Sequence, residues 1–130
     1  MEFIIKGKVK KGIEKAGKRF IKCRKLLRHH GIDFPPFVLG TLNVELDKEF
    51  LTPDWPNVVF ISKKDIDEYE AGYGEWWKLI PIKAVNGKAI PAFIFRTKQN
   101  CHGDKIVEVI AHKIDLPDGL AIEIIVSDEK

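Results

Sequence analysis

The Asn86-Gly87 pair is the feature that most constrains this chain. Asn-Gly is the strongest short signal for a two-residue β-hairpin, because both positions must accept positive φ. It is flanked by WWKLIPIKAV (76–85) and AIPAFIFRT (89–97), both rich in β-branched and aromatic residues. Two strands folded back on each other are therefore expected. The same pattern recurs along the chain. EFIIKGKVK (2–10) suits a first strand, and FVLGTLNVELD (37–47) a second with a glycine interruption at Gly40. VVFIS (58–62) and IVEVIA (106–111) are short strands, and LAIEIIV (120–126) follows the Pro117-Asp118-Gly119 turn. LTPDWPN (51–57) reads as a loop, and the acidic stretch 63–75, ending in AGYGE, as a mobile hairpin or loop. Six or seven strands at short intervals favour a small closed or partly closed β-barrel. With 130 residues and no linker, one domain spanning 1–130 is expected.

One segment follows a different period. Ile13, Ala16, Phe20, Cys23 and Leu27 recur at three- and four-residue spacing, with Lys and Arg on the other face. A basic amphipathic helix is expected over 13–29, stopped at Gly31 before Pro35-Pro36. The charge is placed accordingly. Residues 1–30 carry eleven basic and two acidic side chains, whereas the remaining hundred carry eleven basic and seventeen acidic. That asymmetry favours an anionic partner such as a phosphate-bearing small molecule or a nucleic acid. A solvated helix face has the same composition.

Several classes are excluded. No apolar run approaches the roughly 18 residues of a membrane span, and the polar start does not resemble a signal peptide. Cys23 and Cys101 are far apart and do not form a zinc motif with the four histidines. A cytoplasmic, monomeric protein with free thiols and no membrane association is expected. There is no Walker loop, nucleophile elbow or HExxH helix. His29-His30 at the helix end is read as offsetting the helix dipole rather than binding metal. Trp76 and Trp77 face opposite sides of a strand, so at most one is core.

Two places carry candidate chemistry. In Gly40-Thr41-Leu42-Asn43, strand alternation puts Thr41 and Asn43 on one face. A hydroxyl and an amide oxygen there suit Mg²⁺, which takes its remaining ligands from phosphate and water. Ordinary strand polarity is the alternative. The second place is Glu108, the one charge in IVEVIA. A carboxylate among apolar residues needs a partner or a task, unless it faces solvent on an edge strand.

These pieces, taken in order, resemble the archaeal CTP-dependent riboflavin kinase family. Gly40-Thr41-Leu42-Asn43-Val44-Glu45-Leu46-Asp47 with Phe50 is similar to its GTLN-x-x-LD signature. Gly7-Lys8-Val9 and Gly12-Ile13 resemble the opening strand and nucleotide loop, and Leu79-Ile80-Pro81-Ile82-Lys83 the central strand. Cys101-His102 through Ile106-Val107-Glu108-Val109-Ile110-Ala111, and later Asp118-Gly119, complete the series. The resemblance implies a mainly β, six-stranded cradle-loop barrel carrying one basic helix. It also implies transfer of the γ-phosphoryl group of CTP to riboflavin, giving FMN and CDP. By the same resemblance Thr41 and Asn43 hold Mg²⁺, and Glu108 binds the ribityl chain and acts as general base. Asn100 approaches the flavin phosphate, and Lys11, Gly12 and Lys15 face the nucleotide. Trp76, Trp77 and Tyr73 are candidates for the wall of the flavin ring.

The chain departs from that family at the nucleotide loop. Where the family has a glycine-rich GLGEG-type turn, this chain reads Gly12-Ile13-Glu14-Lys15-Ala16-Gly17. Side chains replace backbone that approaches phosphate, and the segment acquires helical periodicity. Two other functions fit the sequence. One is a non-catalytic barrel that binds flavin or another small ligand. The other is a nucleic-acid or protein interaction module using the basic helix.

Overall fold

Strand β4 (Trp76–Val85) is the hub of the structure, a computed structural model that describes residues 1–10, 24–33, 40–72, 75–97, 105–111 and 116–129. The other strands are β1 (Glu2–Lys10), β2 (Gly40–Leu46), β3 (Val59–Ser62), β5 (Ala92–Thr97), β6 (Ile106–Ala111) and β7 (Ala121–Ser127). Every pairing is antiparallel. β4 pairs with β5, β5 with β6, β6 with β2, β2 with β1 and β1 with β7. β7 then pairs with the second half of β4 and closes a six-stranded barrel. β3 is the extra strand and lies along the first half of β4. The expected barrel is thus observed, and β1, β4 and β6 have their expected bounds.

Closure depends on an irregularity in β4. The register against β7 shifts between Ile82 and Ala84, so Lys83 is an extra residue. A bulge of this kind bends the strand and resets its alternation. Ile82 and Val85 consequently join the same core although they are three apart. Lys83 is turned outward and pairs with Glu2 at 2.9 Å. The hairpin follows as expected: Asn86 and Gly87 have φ of 49° and 79°, and Val85 bridges Lys88.

Two apolar clusters result from the alternation. The first gathers one face of every barrel strand, including Val9, Val44, Ile80, Ile94, Val107 and Ile124. Phe50, Trp55 and Val58 pack against it from the loop before β3. Arg96 shares a strand face with Ala92 and Ile94 by alternation and is only 3% exposed. A buried guanidinium requires partners. It donates to the Phe50 carbonyl at 2.6 Å and lies over the Phe50 ring at 5.6 Å.

The second cluster lies on the other face of β4–β6. Trp77, Leu79 and Ile110 are covered there by Leu26 and Leu27. These two leucines lie in α1 (24–29), the described part of the expected basic helix. Residues 13–23 lie outside the described residues. Trp77 is core, whereas Trp76 alternates to the opposite face and stands against Phe60. The stretch 63–75 corrects the sequence reading, because Lys63–Glu68 forms a helix, α2. Ser62 caps it by accepting a hydrogen bond from the Asp65 amide at 3.3 Å. Ile66 anchors it in the second cluster. His30 Nε2 lies 3.0 Å from Asp65 Oδ2 and links the end of α1 to the first turn of α2. Among the described residues no helix is long and apolar enough to cross a membrane.

Gly7 is required by the β1–β2 contact. A Cβ there would collide with the Glu45 carbonyl oxygen and stand 3.0 Å from the Leu46 Cα. The obstruction is backbone and cannot rotate away. Gly7→Ala should therefore lower stability by about 2–3 kcal/mol, measured by denaturant unfolding with the m-value unchanged. A midpoint equal to that of the parent would show that the strands separate freely.

Candidate functional site

The antiparallel registers bring two of the candidate residues together. Asn43 of β2 is directly opposite Glu108 of β6. On its other side Asn43 is opposite Lys10 of β1. Glu108 is in turn opposite Phe95 of β5, and Phe95 is opposite Leu79 of β4. A single row therefore crosses five strands in the order Lys10, Asn43, Glu108, Phe95, Leu79. Directly opposed residues in such a row have Cβ atoms about 4.5–5.5 Å apart.

Burial identifies the face on which this row lies. Leu42 and Val44, on either side of Asn43, belong to the barrel core, as do Val107 and Val109 on either side of Glu108. Strand alternation then puts Asn43 and Glu108 on the outer face. Both are half-buried. The apolar end of the row, Phe95 and Leu79, packs in the second cluster beneath α1. The polar end, Lys10, is exposed. The row thus grades from a covered apolar wall through a carboxylate and an amide to a cation.

Thr41 occupies the β2 position two before Asn43, opposite Ile110. Lys11, Gly12, Lys15 and Asn100 lie outside the described residues, as does Tyr73. β1 ends at Lys10, directly opposite Asn43. Neither tryptophan lines this face in an open position. Trp77 is 2% exposed and its ring meets Phe95 edge-on at 5.3 Å. Trp76 is on the opposite face, with Lys78 over its ring at 5.0 Å. Phe95 is instead the aromatic residue next to Glu108. His29 and His30 belong to the α1–α2 contact, where His29 stands 5.8 Å from the Tyr69 ring.

Among the described residues no group of three or more His, Cys, Asp and Glu gathers to form a self-sufficient metal cage. Mg²⁺ does not need one, since one or two protein oxygens and substrate phosphates suffice. The Asn43 amide and the Glu108 carboxylate directly opposite it offer oxygen donors, the type that Mg²⁺ prefers.

Sequence reasoning missed Lys10, Glu45 and Phe95 as neighbours of this place. The alternation in KGKVK does assign Lys6, Lys8 and Lys10 to one face. Which β2 residue each would meet depends on register. A concavity of about 410 Å³ lies elsewhere, between the start of β1 and the loop 47–55. Phe3, Phe50, Leu51 and Trp55 line it, and it holds none of the candidate residues.

No protein-family model matches the chain, and no curated protein matches it.

Half-buried polar residues outside the two apolar clusters contribute little to folding. Asn43→Ala and Glu108→Gln should each shift the unfolding free energy by less than about 1 kcal/mol, as read from thermal or denaturant melts. A much larger loss would mark either residue as a structural strut.

Proposed function

We propose that the chain transfers a phosphoryl group from a nucleoside triphosphate to riboflavin in a Mg²⁺-dependent reaction, with CTP the donor suggested by the family resemblance. The observation that carries this reading is the direct pairing of Asn43 with Glu108 on the outer face of the barrel. The two residues are 65 positions apart in sequence (108 − 43) and meet through the β2–β6 register. The six-stranded barrel is also the fold that the resemblance implies.

Phosphoryl transfer asks a protein mainly for positioning and for stabilisation of charge. Thr41 and Asn43 would hold Mg²⁺, which would offset the negative charge of the phosphates. Glu108 orients the ribityl chain and accepts the proton of its terminal hydroxyl. The hydroxyl oxygen bonds to the γ-phosphorus as the β–γ bridging bond breaks, and the nucleoside diphosphate leaves with the electron pair. Phe95, half-buried beside Glu108, would offer the flavin ring a wall in place of the tryptophans. The Asn43–Glu108 adjacency separates a metal-holding position from a proton-accepting one by a single strand spacing, about 4.8 Å.

Incubation of the protein with riboflavin, Mg²⁺ and CTP, ATP, GTP or UTP separately should give FMN with at least one nucleotide, resolved by chromatography. Asn43→Ala and Glu108→Gln should each reduce the rate by about 10²-fold or more. Absence of FMN with all four nucleotides would contradict the kinase reading. Saturable riboflavin binding under those conditions would establish a non-catalytic ligand barrel instead.

A further inference from the structure

The row described above ends on a cation that no part of the proposed reaction has used. Lys10 is the last residue of β1 and is directly opposite Asn43. Its ammonium lies 3.3 Å from Glu45 Oε2, on the next outward-facing position of β2. Both side chains are more than half exposed, at 55% and 56%. Such a pair is screened by water and adds little to stability. It is also readily exchanged. Glu45 is directly opposite Lys8, so a second ammonium stands ready for it if Lys10 moves.

Resting on the kinase reading, we infer that Lys10 binds the phosphates of the donor nucleotide, and that Glu45 holds its ammonium beside the site until the nucleotide arrives. Asn43 is the central position, with Glu108 on one side and Lys10 on the other. A triphosphate carries several negative charges and is drawn to the Lys10 side. The acceptor hydroxyl, which must give up a proton, belongs beside Glu108. Donor and acceptor thus approach the central position from opposite strands, as in-line transfer demands. Lysine suits this task, because it meets phosphate as a mobile point charge on a flexible stem. The arrangement also bears on the altered nucleotide loop. Where backbone amides of a glycine-rich turn are replaced, a side-chain cation on the adjoining strand can carry part of the phosphate contact.

The inference is tested by calorimetric titration of Mg-CTP into the full chain and its variants, without riboflavin. Lys10→Ala should weaken nucleotide binding about tenfold and lower the salt dependence of the affinity. Lys10→Arg keeps the charge and should stay within about threefold of the parent. Glu45→Gln removes the competing anion and should tighten binding about twofold. Riboflavin affinity should be the same in all of them. A Lys10→Ala chain that binds Mg-CTP as tightly as the parent overturns the inference and leaves the kinase reading standing if FMN is formed. Lys10-dependent binding without FMN formation supports the inference and sinks the kinase reading. A parent chain that binds no nucleotide overturns both.

Discussion

Closure of the barrel through β4 and β7 is the constraint on which everything else depends. Without it, β4 and β7 would present open hydrogen-bonding edges, a liability for any sheet protein. With it, each barrel strand must commit one face inward. In a barrel of six strands that inward space is filled by side chains, here aliphatic ones such as Val44, Ile80, Ile94 and Ile124. Among the described residues the one buried charge is Arg96, which shares the inward face with Ala92 and Ile94 and is bonded to the Phe50 carbonyl. The polar residues of β1, β2 and β6 are on the outer face, where Lys10, Asn43 and Glu108 stand in register. The bulge at Lys83 makes this possible, because it lets one strand serve β5 and β7 while keeping Ile82 and Val85 in the same core.

The outer face is divided in two. Its β4–β6 part is apolar and is roofed by α1 through Leu26 and Leu27. Its β1–β2 part is charged and open. Glu108 lies at the boundary, which gives it Phe95 on one side and Asn43 on the other. An amphiphilic substrate with a planar ring and a hydroxylated chain has use for such a boundary. The ring needs an apolar wall, and the chain end needs a proton acceptor and a cation.

Much of this was legible in the sequence. The hairpin was announced by Asn86-Gly87, and the alternation in EFIIKGKVK and WWKLIPIKAV gave both strands their bounds. Glu108 stood out because charge is costly inside an apolar run, and Asn43 because it shares a strand face with Thr41. Their pairing was not legible. Register between strands far apart in sequence is decided by packing of the whole core, and a slip of one residue would reverse every face. α2 was missed because six residues are too few to display a helical period. The Ser62-x-x-Asp65 cap was its one local signal. The burial of Arg96 was likewise hidden, since its partner Phe50 comes from a loop remote in sequence.

Under the proposed function, ligand would bind on the outer face along the row from Lys10 to Phe95, outside the barrel core and away from the Phe3–Trp55 concavity. Backbone amide chemical shifts recorded on the full chain, with and without riboflavin, Mg²⁺ and CTP, test this. The largest perturbations are expected at Lys10, Asn43, Glu108 and Phe95. Perturbations confined to Phe3, Phe50, Leu51 and Trp55, or to residues remote from both places, would contradict it.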